Sequence, residues 1–184
     1  MAKVLIVAEH LDGKLNAATA KCVSAAKALN PESIDIVVLA ADPAGVAAEA
    51  AQIDGVAKVL TIANAANANA IAQVQAPQIA AVAKGYSHVF GPSTTFGKDL
   101  MPAVAALLGV NQVSDLMAAE GTHTFKRPIY AGNAIITVEA PADQTVVATV
   151  RTASWPEAGK GGSAAVEAVS VDVELPGHTR FVGL

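Results

Sequence analysis

The stretch of residues 91–99, Gly-Pro-Ser-Thr-Thr-Phe-Gly-Lys-Asp, has the residue types of a phosphate-binding loop. In such a loop four residues separate two glycines, and a hydroxyl after the lysine binds Mg²⁺. Here five residues separate Gly91 from Gly97, and Asp99 replaces the hydroxyl. The sequence therefore predicts capping of a following helix rather than phosphate binding through this motif. The capping hydroxyls would be those of Ser93, Thr94 and Thr95, and Asp99 would lie in the positively polarised first turn.

Other glycine-containing turns do not complete a cofactor or catalytic motif either. A dinucleotide-binding turn needs three glycines after the first strand, so that the backbone approaches a pyrophosphate, and only Gly13 is present. A serine nucleophile elbow needs a second glycine after the serine, which Gly91-Pro92-Ser93 and Gly161-Gly162-Ser163 both lack. We therefore predict neither dinucleotide binding at the first turn nor serine hydrolase chemistry.

Acid–base and metal chemistry have little support in the sequence. Glu9 and His10 follow the first apolar run and could transfer protons, but that chemistry needs a partner group and a shifted pKa. An enzyme built on this pair is a hypothesis that His10→Ala would test. No two of the histidines have the spacing that places metal ligands on one helical face. We assign no catalytic, cofactor-binding or metal-binding residue; the histidines are His10, His88, His123 and His178.

Cys22 and Trp155 are each the single residue of their type. A lone cysteine excludes an internal disulfide and a multi-cysteine metal site, and its spacing places Cys22 on the buried face of a helix. Trp155 follows a predicted strand and is either an anchor that faces a partner or part of the packing, because interfaces and cores both favour tryptophan.

The composition narrows the class of protein. Of the 184 residues, 53% are hydrophobic and 4% are aromatic, so aliphatic side chains must build the core, as in a compact α/β protein. The net charge is -4 and the 12 basic residues are scattered, which argues against nucleic acid or an anionic membrane as a partner. Because the first apolar run is too short for a signal core or a membrane span, we expect a cytoplasmic, bacterial protein.

Strand and helix patterns alternate over residues 1–112. Apolar runs at residues 3–8, 34–40, 56–62 and 88–90 each precede a helical pattern, and these helices end near Asn30, Ala51, Gly85 and Gly109. Asp42 and Pro43 are predicted to start the second helix, and Pro77 to begin or kink the last part of the third. Since such alternation requires right-handed crossovers, we predict a doubly wound, mostly parallel sheet.

Residues 113–184 form a β-rich part. Strand-like runs at residues 113–120, 125–130, 134–140 and 145–151 are separated by turns. We predict one final strand of the main sheet, a small antiparallel β appendage, a flexible loop at residues 159–163 and a last strand near residues 166–173. We predict that residues 1–184 form a single domain and that this β-rich part belongs to it.

Several segments together resemble the alpha subunit of electron-transfer flavoproteins, in that family's order. The similarity covers essentially the whole chain, and its most specific parts are residues 127–133 and 95–99. It implies a Rossmann-like, adenine-nucleotide-hydrolase-like fold and the N-terminal domain of an alpha subunit. The segments are Val4-Leu-Ile-Val-Ala-Glu-His10, Gly85-Tyr-Ser-His-Val89, Thr94-Thr-Phe-Gly-Lys-Asp-Leu100, Arg127-Pro-Ile-Tyr-Ala-Gly-Asn-Ala134 and Val150-Arg-Thr152.

The resemblance implies a scaffold and subunit-interaction domain with no catalysis of its own. In that family a second, glycine- and arginine-rich domain makes most contacts to FAD, and the beta subunit holds AMP. The assembled heterodimer carries electrons from acyl-CoA and other dehydrogenases to a quinone-linked oxidoreductase, as in fatty-acid β-oxidation. Since the chain ends at Leu184, about where the linker to the flavin domain would begin, we expect that domain outside this chain and no cofactor within it.

The alternative function is a free-standing adenine-nucleotide-binding module. It is motivated by the doubly wound fold, because open α/β sheets bind ligands outside the carboxyl ends of their strands. A pocket, if the chain has one for a small ligand, is expected at the loop of residues 91–95, which is made of Gly91, Pro92, Ser93, Thr94 and Thr95.

Overall fold

The computed structural model describes residues 1–183 and contains a seven-stranded parallel sheet. The predicted doubly wound α/β fold is confirmed, with strand β1 at the centre of the sheet. From one edge to the other the strands are β12 (Ala165–Ala168), β5 (Lys58–Ala63), β4 (Ser33–Ala40), β1 (Lys3–Val7), β6 (His88–Pro92), β11 (Val146–Val150) and β7 (Gln112–Leu116).

Helices cover both faces of this sheet. Helices α1 (Ala17–Lys27) and α2 (Ala44–Ala51) pack on one face, and α3 (Ala72–Ala83) and α4 (Thr95–Leu108) pack on the other. Successive residues of β1 point to opposite faces, so Val4 and Ile6 contact the first core and Leu5 and Val7 the second. The continuous apolar strand patterns follow from this double coverage, because neither face of a central strand meets water.

The β-rich part contributes more to the main sheet than the sequence predicts. One final strand was expected, but β7, β11 and β12 all join it, β11 between β6 and β7 and β12 at the opposite edge. Every residue of β11 is buried, as in the central strands. The residue pattern of a short strand does not tell which sheet the strand enters, which is why the predicted number was wrong.

Two small antiparallel sheets complete the architecture. Strands β8 (Ala118–Ala119), β9 (Thr124–Ile129) and β10 (Ala134–Glu139) form the predicted appendage, in the order β10-β9-β8. Phe125 of β9 is fully buried and belongs to the core that α1 and α2 cover. A two-residue hairpin of β2 (His10–Leu11) and β3 (Lys14–Leu15) was not predicted, although its turn, Asp12-Gly13, has the positive φ values of 50° and 73° that favour this pair.

The loop at residues 159–163, predicted to be flexible, is anchored along the end of α2. Gly161 and Gly162 both donate to the Gln52 carbonyl at 3.0 Å, and the Gly159 carbonyl accepts from Asp54 at 2.8 Å. A Cβ at Gly162 would lie 2.5 Å from the Ile53 carbonyl oxygen, so glycine permits this close approach. The strand that follows is shorter than predicted, because β12 ends at Ala168.

The helix ends agree with the sequence to within three residues, the largest difference being α1, which ends at Lys27 rather than near Asn30. Helix α2 begins at Ala44 rather than Pro43, but Asp42 performs the expected capping, since its Oδ1 accepts from the Ala44 amide at 3.1 Å. Helix α3 runs unbroken through Pro77 and starts no new segment there. The carbonyl that loses its hydrogen-bond partner to this proline belongs to Gln73, an exposed residue at which water can replace the missing donor.

A pair of buried amide side chains fixes the start of α3. Asn67 lies in a short 3-10 turn and Gln78 lies in α3, and each is 1% exposed. The Asn67 Nδ2 donates to the Gln78 Oε1 at 3.0 Å, and the Gln78 Nε2 donates back to the Asn67 Oδ1 at 2.8 Å. The Gln78 amide also donates to the Val74 carbonyl at 2.8 Å. Asn67, alone within the asparagine-rich stretch before α3, is therefore buried against that helix, which the composition did not predict.

Candidate interaction site at the carboxyl edge of the sheet

The carboxyl ends of β1 and β6 meet at the point where the strand order reverses. The chain passes from β1 outward through β4 and β5, and then returns to place β6 on the other side of β1. Open α/β sheets bind ligands at this switch point. Glu9 follows β1, and Ser93 and Thr94 follow β6, so this crevice is where the predicted pocket would lie.

The loop after β6 is shorter than the predicted residues 91–95. Gly91 and Pro92 are buried parts of β6, and Thr95 is the first residue of α4, which leaves Ser93 and Thr94 as the connection. A Cβ built on Gly97 would overlap the Pro92 carbonyl oxygen and lie 2.9 Å from its carbonyl carbon. Gly97 is therefore required by the close approach of α4 to the strand end, and not by a phosphate.

A carboxylate of the chain itself occupies the switch point. The Thr94 Oγ1 donates to the Glu9 Oε2 at 2.9 Å, which joins the ends of β1 and β6. The Glu9 amide is held by the Thr19 Oγ1 at 3.1 Å, and its carbonyl accepts from Asn16 at 2.8 Å. This negative charge beside the N-terminus of α4 opposes the binding of a phosphate there.

The hydroxyls of the loop have unequal roles. Thr94 is the N-cap of α4, and its Oγ1 accepts from the Gly97 amide at 3.4 Å, as expected for one of the three predicted caps. Ser93 Oγ is buried and has no hydrogen-bond partner among the described residues, and Thr95 is exposed. Asp99 lies beyond the first turn of α4, so the prediction that it stabilises that turn is wrong.

Glu9 and His10 do not form an acid–base pair. The His10 Nε2 lies 2.8 Å from the Leu39 carbonyl oxygen, which can only accept a hydrogen bond, so this nitrogen carries the proton. Glu9 turns instead to Thr94. Cys22 is fully buried in α1, and burial and the nearby Glu9 charge raise the pKa of its thiol well above the ordinary value, as expected for a packing residue.

At the amino end of β6, His88 contacts His123 although the two residues are far apart in sequence. The rings of His88 and His123 have centroids 5.6 Å apart. The His88 Nε2 donates to the Thr122 carbonyl at 2.6 Å, so the Nδ1, 2.8 Å from the Ser87 Oγ, is the acceptor. Burial lowers the pKa of His88, and the neighbouring His123 acts in the same direction. The pair holds the β8-β9 turn against β6.

This pKa shift predicts acid sensitivity. Since His88 has an ordinary pKa of 6.5 when unfolded and a lower one when folded, the unfolded chain binds a proton that the folded chain does not. We expect the free energy of unfolding to fall as the pH drops below 6.5, by up to about 1.4 kcal/mol per pH unit. Urea unfolding between neutral pH and the onset of carboxylate titration measures this slope. His88→Gln should flatten it, whereas the exposed control His178→Gln should not; equal slopes in all three chains would contradict the assignment.

Of the two roles predicted for Trp155, an anchor that faces a partner or part of the packing, the structure shows packing. Its indole Nε1 donates to the Leu116 carbonyl at 3.1 Å, and its ring packs against the core that α1 and α2 cover. The edge strand β7 is thus held by a side chain from the segment after β11.

A pocket of 490 Å³ lies beside the carboxyl ends of β7 and β11, and we call it the arginine pocket. Two of the segments that resemble alpha subunits, residues 127–134 and 150–152, meet in it. Arg127 lies in β9, and Arg151 directly follows β11. The Arg127 Nε donates to the Ser114 carbonyl at 2.7 Å. The pocket is lined by Asp115, Arg127, Pro128, Ile129, Tyr130, Ala131, Gly132 and Arg151. The sequence placed these residues on separate strands and gave no signal of their meeting.

A backbone irregularity places Asp115 in this pocket. The register between β11 and β7 shifts between Ala148 and Val150, and Asp115 has a left-handed φ of 58°. Its amide leaves the strand ladder and donates to the buried Thr149 Oγ1 at 2.9 Å. Its Oδ2 lies 2.6 Å from the Arg151 Nη1, with both side chains partly exposed. A bulge that redirects a side chain is common beside functional sites.

Residues 1–183 contain neither a cluster of metal-binding side chains nor a membrane-spanning helix. No group of three or more histidine, cysteine, aspartate or glutamate side chains in this range has an arrangement that could hold a metal ion. Likewise, no helix within the described range combines the length and apolar character needed to cross a membrane.

Comparison with known proteins now identifies the family. Residues 4–175 match the electron transfer flavoprotein domain. The chain belongs to the electron transfer flavoprotein family. It is 48% identical over 181 residues to the electron transfer flavoprotein subunit alpha of Pseudomonas aeruginosa, covering 98% of this chain and 58% of that protein. The same-named subunit of Paracoccus denitrificans is 45% identical over 182 residues, covering 97% and 57%.

The resemblance to alpha subunits inferred from the sequence is therefore confirmed. A probable mitochondrial alpha subunit of Cryptococcus neoformans var. grubii is also similar, with 36% identity over 188 residues, 99% of this chain and 54% of that protein. The chain spans just over half the length of each of these relatives.

Proposed function

We propose that this chain is a scaffold and subunit-interaction domain, the N-terminal domain of an electron transfer flavoprotein alpha subunit. The observation that carries the proposal is the 48% identity to an alpha subunit over 98% of the chain. In this proposal residues 1–184 are one domain, whose β-rich part is joined to residues 1–112 through the shared sheet. Its partner is the beta subunit, and it catalyses no reaction by itself.

Electron transfer then belongs to the assembled protein. We propose that FAD is held mainly by another part of the alpha subunit and AMP by the beta subunit. The complex carries electrons from acyl-CoA and other dehydrogenases to a quinone-linked oxidoreductase. The family supports this role, and the domain described here would shape the platform for the flavin. A cytoplasmic, bacterial location stays a prediction from the sequence.

The residues at the switch point do not fit a nucleotide phosphate. The Glu9 carboxylate lies 2.9 Å from the N-cap hydroxyl of α4, where a phosphate would approach the free amides of the first turn. The contact between Gly97 and Pro92 leaves no space between helix and strand end. These two observations disfavour the alternative, a free-standing adenine-nucleotide-binding module, relative to the scaffold.

The proposal is tested by whether the purified chain binds a beta subunit, and by whether it binds nucleotides alone. Calorimetric titration of the chain with FAD and AMP should give no saturable heat. Tight FAD binding by this chain would refute the proposal that another part of the alpha subunit holds FAD. Tight AMP binding would favour the free-standing adenine-nucleotide-binding module.

A further inference from the structure

We propose that the arginine pocket is the docking site for a carboxylate side chain of the beta subunit, an inference that rests on the function proposed above. The lining holds two cations, Arg127 and Arg151, against the one carboxylate of Asp115. The pocket is therefore locally positive on a chain whose net charge is -4. That local reversal of sign selects an acidic group and disfavours a basic one.

Arg127 supplies the free binding capacity. Its Nε is committed to the Ser114 carbonyl at 2.7 Å, which fixes the plane of the guanidinium. Within residues 1–183 its terminal nitrogens have no hydrogen-bond or ion-pair partner. A guanidinium that is held in place at one edge loses little freedom when its remaining donors bind a carboxylate as a fork.

Arg151 and Asp115 set the shape and charge of the neighbouring wall. Their 2.6 Å contact keeps Arg151 at the pocket, and Asp115 is itself held by the bulge at Thr149. Asp115 neutralises one of the two arginines, so a single additional carboxylate would balance the pocket. This balance of charges favours one acidic side chain over a doubly charged phosphate.

The rim of the pocket has the residue types of a protein interface. Tyr130 is 79% exposed, and it lies on a turn in which Tyr130, Ala131 and Gly132 have φ values of 49°, 54° and 91°. Non-glycine residues rarely adopt this conformation, so the turn holds the ring outward at a conformational cost. Ile135, 57% exposed on β10, lies just beyond the turn. Tyrosine and arginine are the residue types that dominate interface energetics, which favours a protein as the occupant.

The dissociation constant between the full chain and its beta subunit tests this inference, measured at low and at high salt. Arg127→Gln should weaken binding about tenfold or more at low salt, with a smaller loss at high salt, because the lost contact is a charge pair. Tyr130→Ser should also weaken binding, by about fivefold, with little salt dependence. Arg180→Gln, at an exposed arginine outside the pocket, is the matched control and should stay within about twofold of the parent chain.

The outcomes separate the inference from the function on which it rests. If the parent chain binds the beta subunit and both pocket variants bind as well as Arg180→Gln, the pocket is not the docking site, while the proposed function stands. If the parent chain fails to bind, the proposed function fails and the inference with it. Circular dichroism reports whether Arg127→Gln folds. If it does not fold, the binding of Tyr130→Ser, whose substitution is at an exposed position, decides whether the pocket is the docking site.

Discussion

Gly97→Ala is expected to lower the free energy of unfolding by about 3 kcal/mol, because overpacking at a rigid backbone contact has no inexpensive relaxation. The added methyl would overlap the Pro92 carbonyl oxygen, which belongs to the buried end of β6. Relief requires α4 to move away from the strand, and that movement would also strain the contact between Thr94 and Glu9. Urea unfolding followed by circular dichroism measures the change.

Gly85→Ala is the matched control for this experiment. Gly85 has no positive φ, and the nearest atom to an added Cβ is the Val82 carbonyl oxygen at 4.0 Å. We expect its free energy of unfolding to equal that of the parent chain within about 0.5 kcal/mol, or to rise slightly because the unfolded chain loses freedom. If Gly97→Ala proves as stable as Gly85→Ala, the steric account of the family-like Phe96-Gly97-Lys98 segment is wrong.

Gln78→Met is expected to lower the free energy of unfolding by about 2–3 kcal/mol, since it leaves a buried amide without its partner. Methionine has a similar length, but Asn67 loses its contacts of 2.8 and 3.0 Å, keeps only a 3.4 Å bond to the Ile62 carbonyl, and is 1% exposed. Gln73→Met, at the exposed face of the same helix, is the control and should change stability by less than about 0.5 kcal/mol.

A double-mutant cycle separates the lost hydrogen bonds from changes in packing. Asn67→Leu combined with Gln78→Met removes both polar groups. We expect the double variant to lose less free energy of unfolding than the two single variants lose together, by about 1 kcal/mol or more. Strictly additive effects would show that the two amides do not act as a pair.

The main architecture followed from the sequence because its signals are local. The β1 run of apolar residues, the Asp42 cap and the Gly109 stop of α4 each lie within a few residues of the element they define. Gly109 has the expected left-handed φ of 70° and ends α4 at Leu108. The assignment of β7, β11 and β12 to one sheet depends on contacts between distant segments, and no local pattern specifies those.

The candidate site was less predictable for the same reason. The bond between Glu9 and Thr94 joins residues 85 positions apart, and the contact between Arg151 and Asp115 spans 36. In the sequence Gly97 resembles the second glycine of an imperfect phosphate loop, whereas the structure explains it by the approach of a helix to a carbonyl. Arg127 and Arg151 lie in separate segments of the sequence, and their meeting in one pocket depends on contacts between distant strands.

Mixing the purified chain with its beta subunit, and measuring the mass of the product by light scattering during size-exclusion chromatography, tests the scaffold proposal most directly. We predict that the two chains elute together as a heterodimer, and that the chain alone binds neither FAD nor AMP. Separate elution of the two chains, together with saturable AMP binding by the chain alone, would contradict the proposal and favour a self-sufficient nucleotide-binding module.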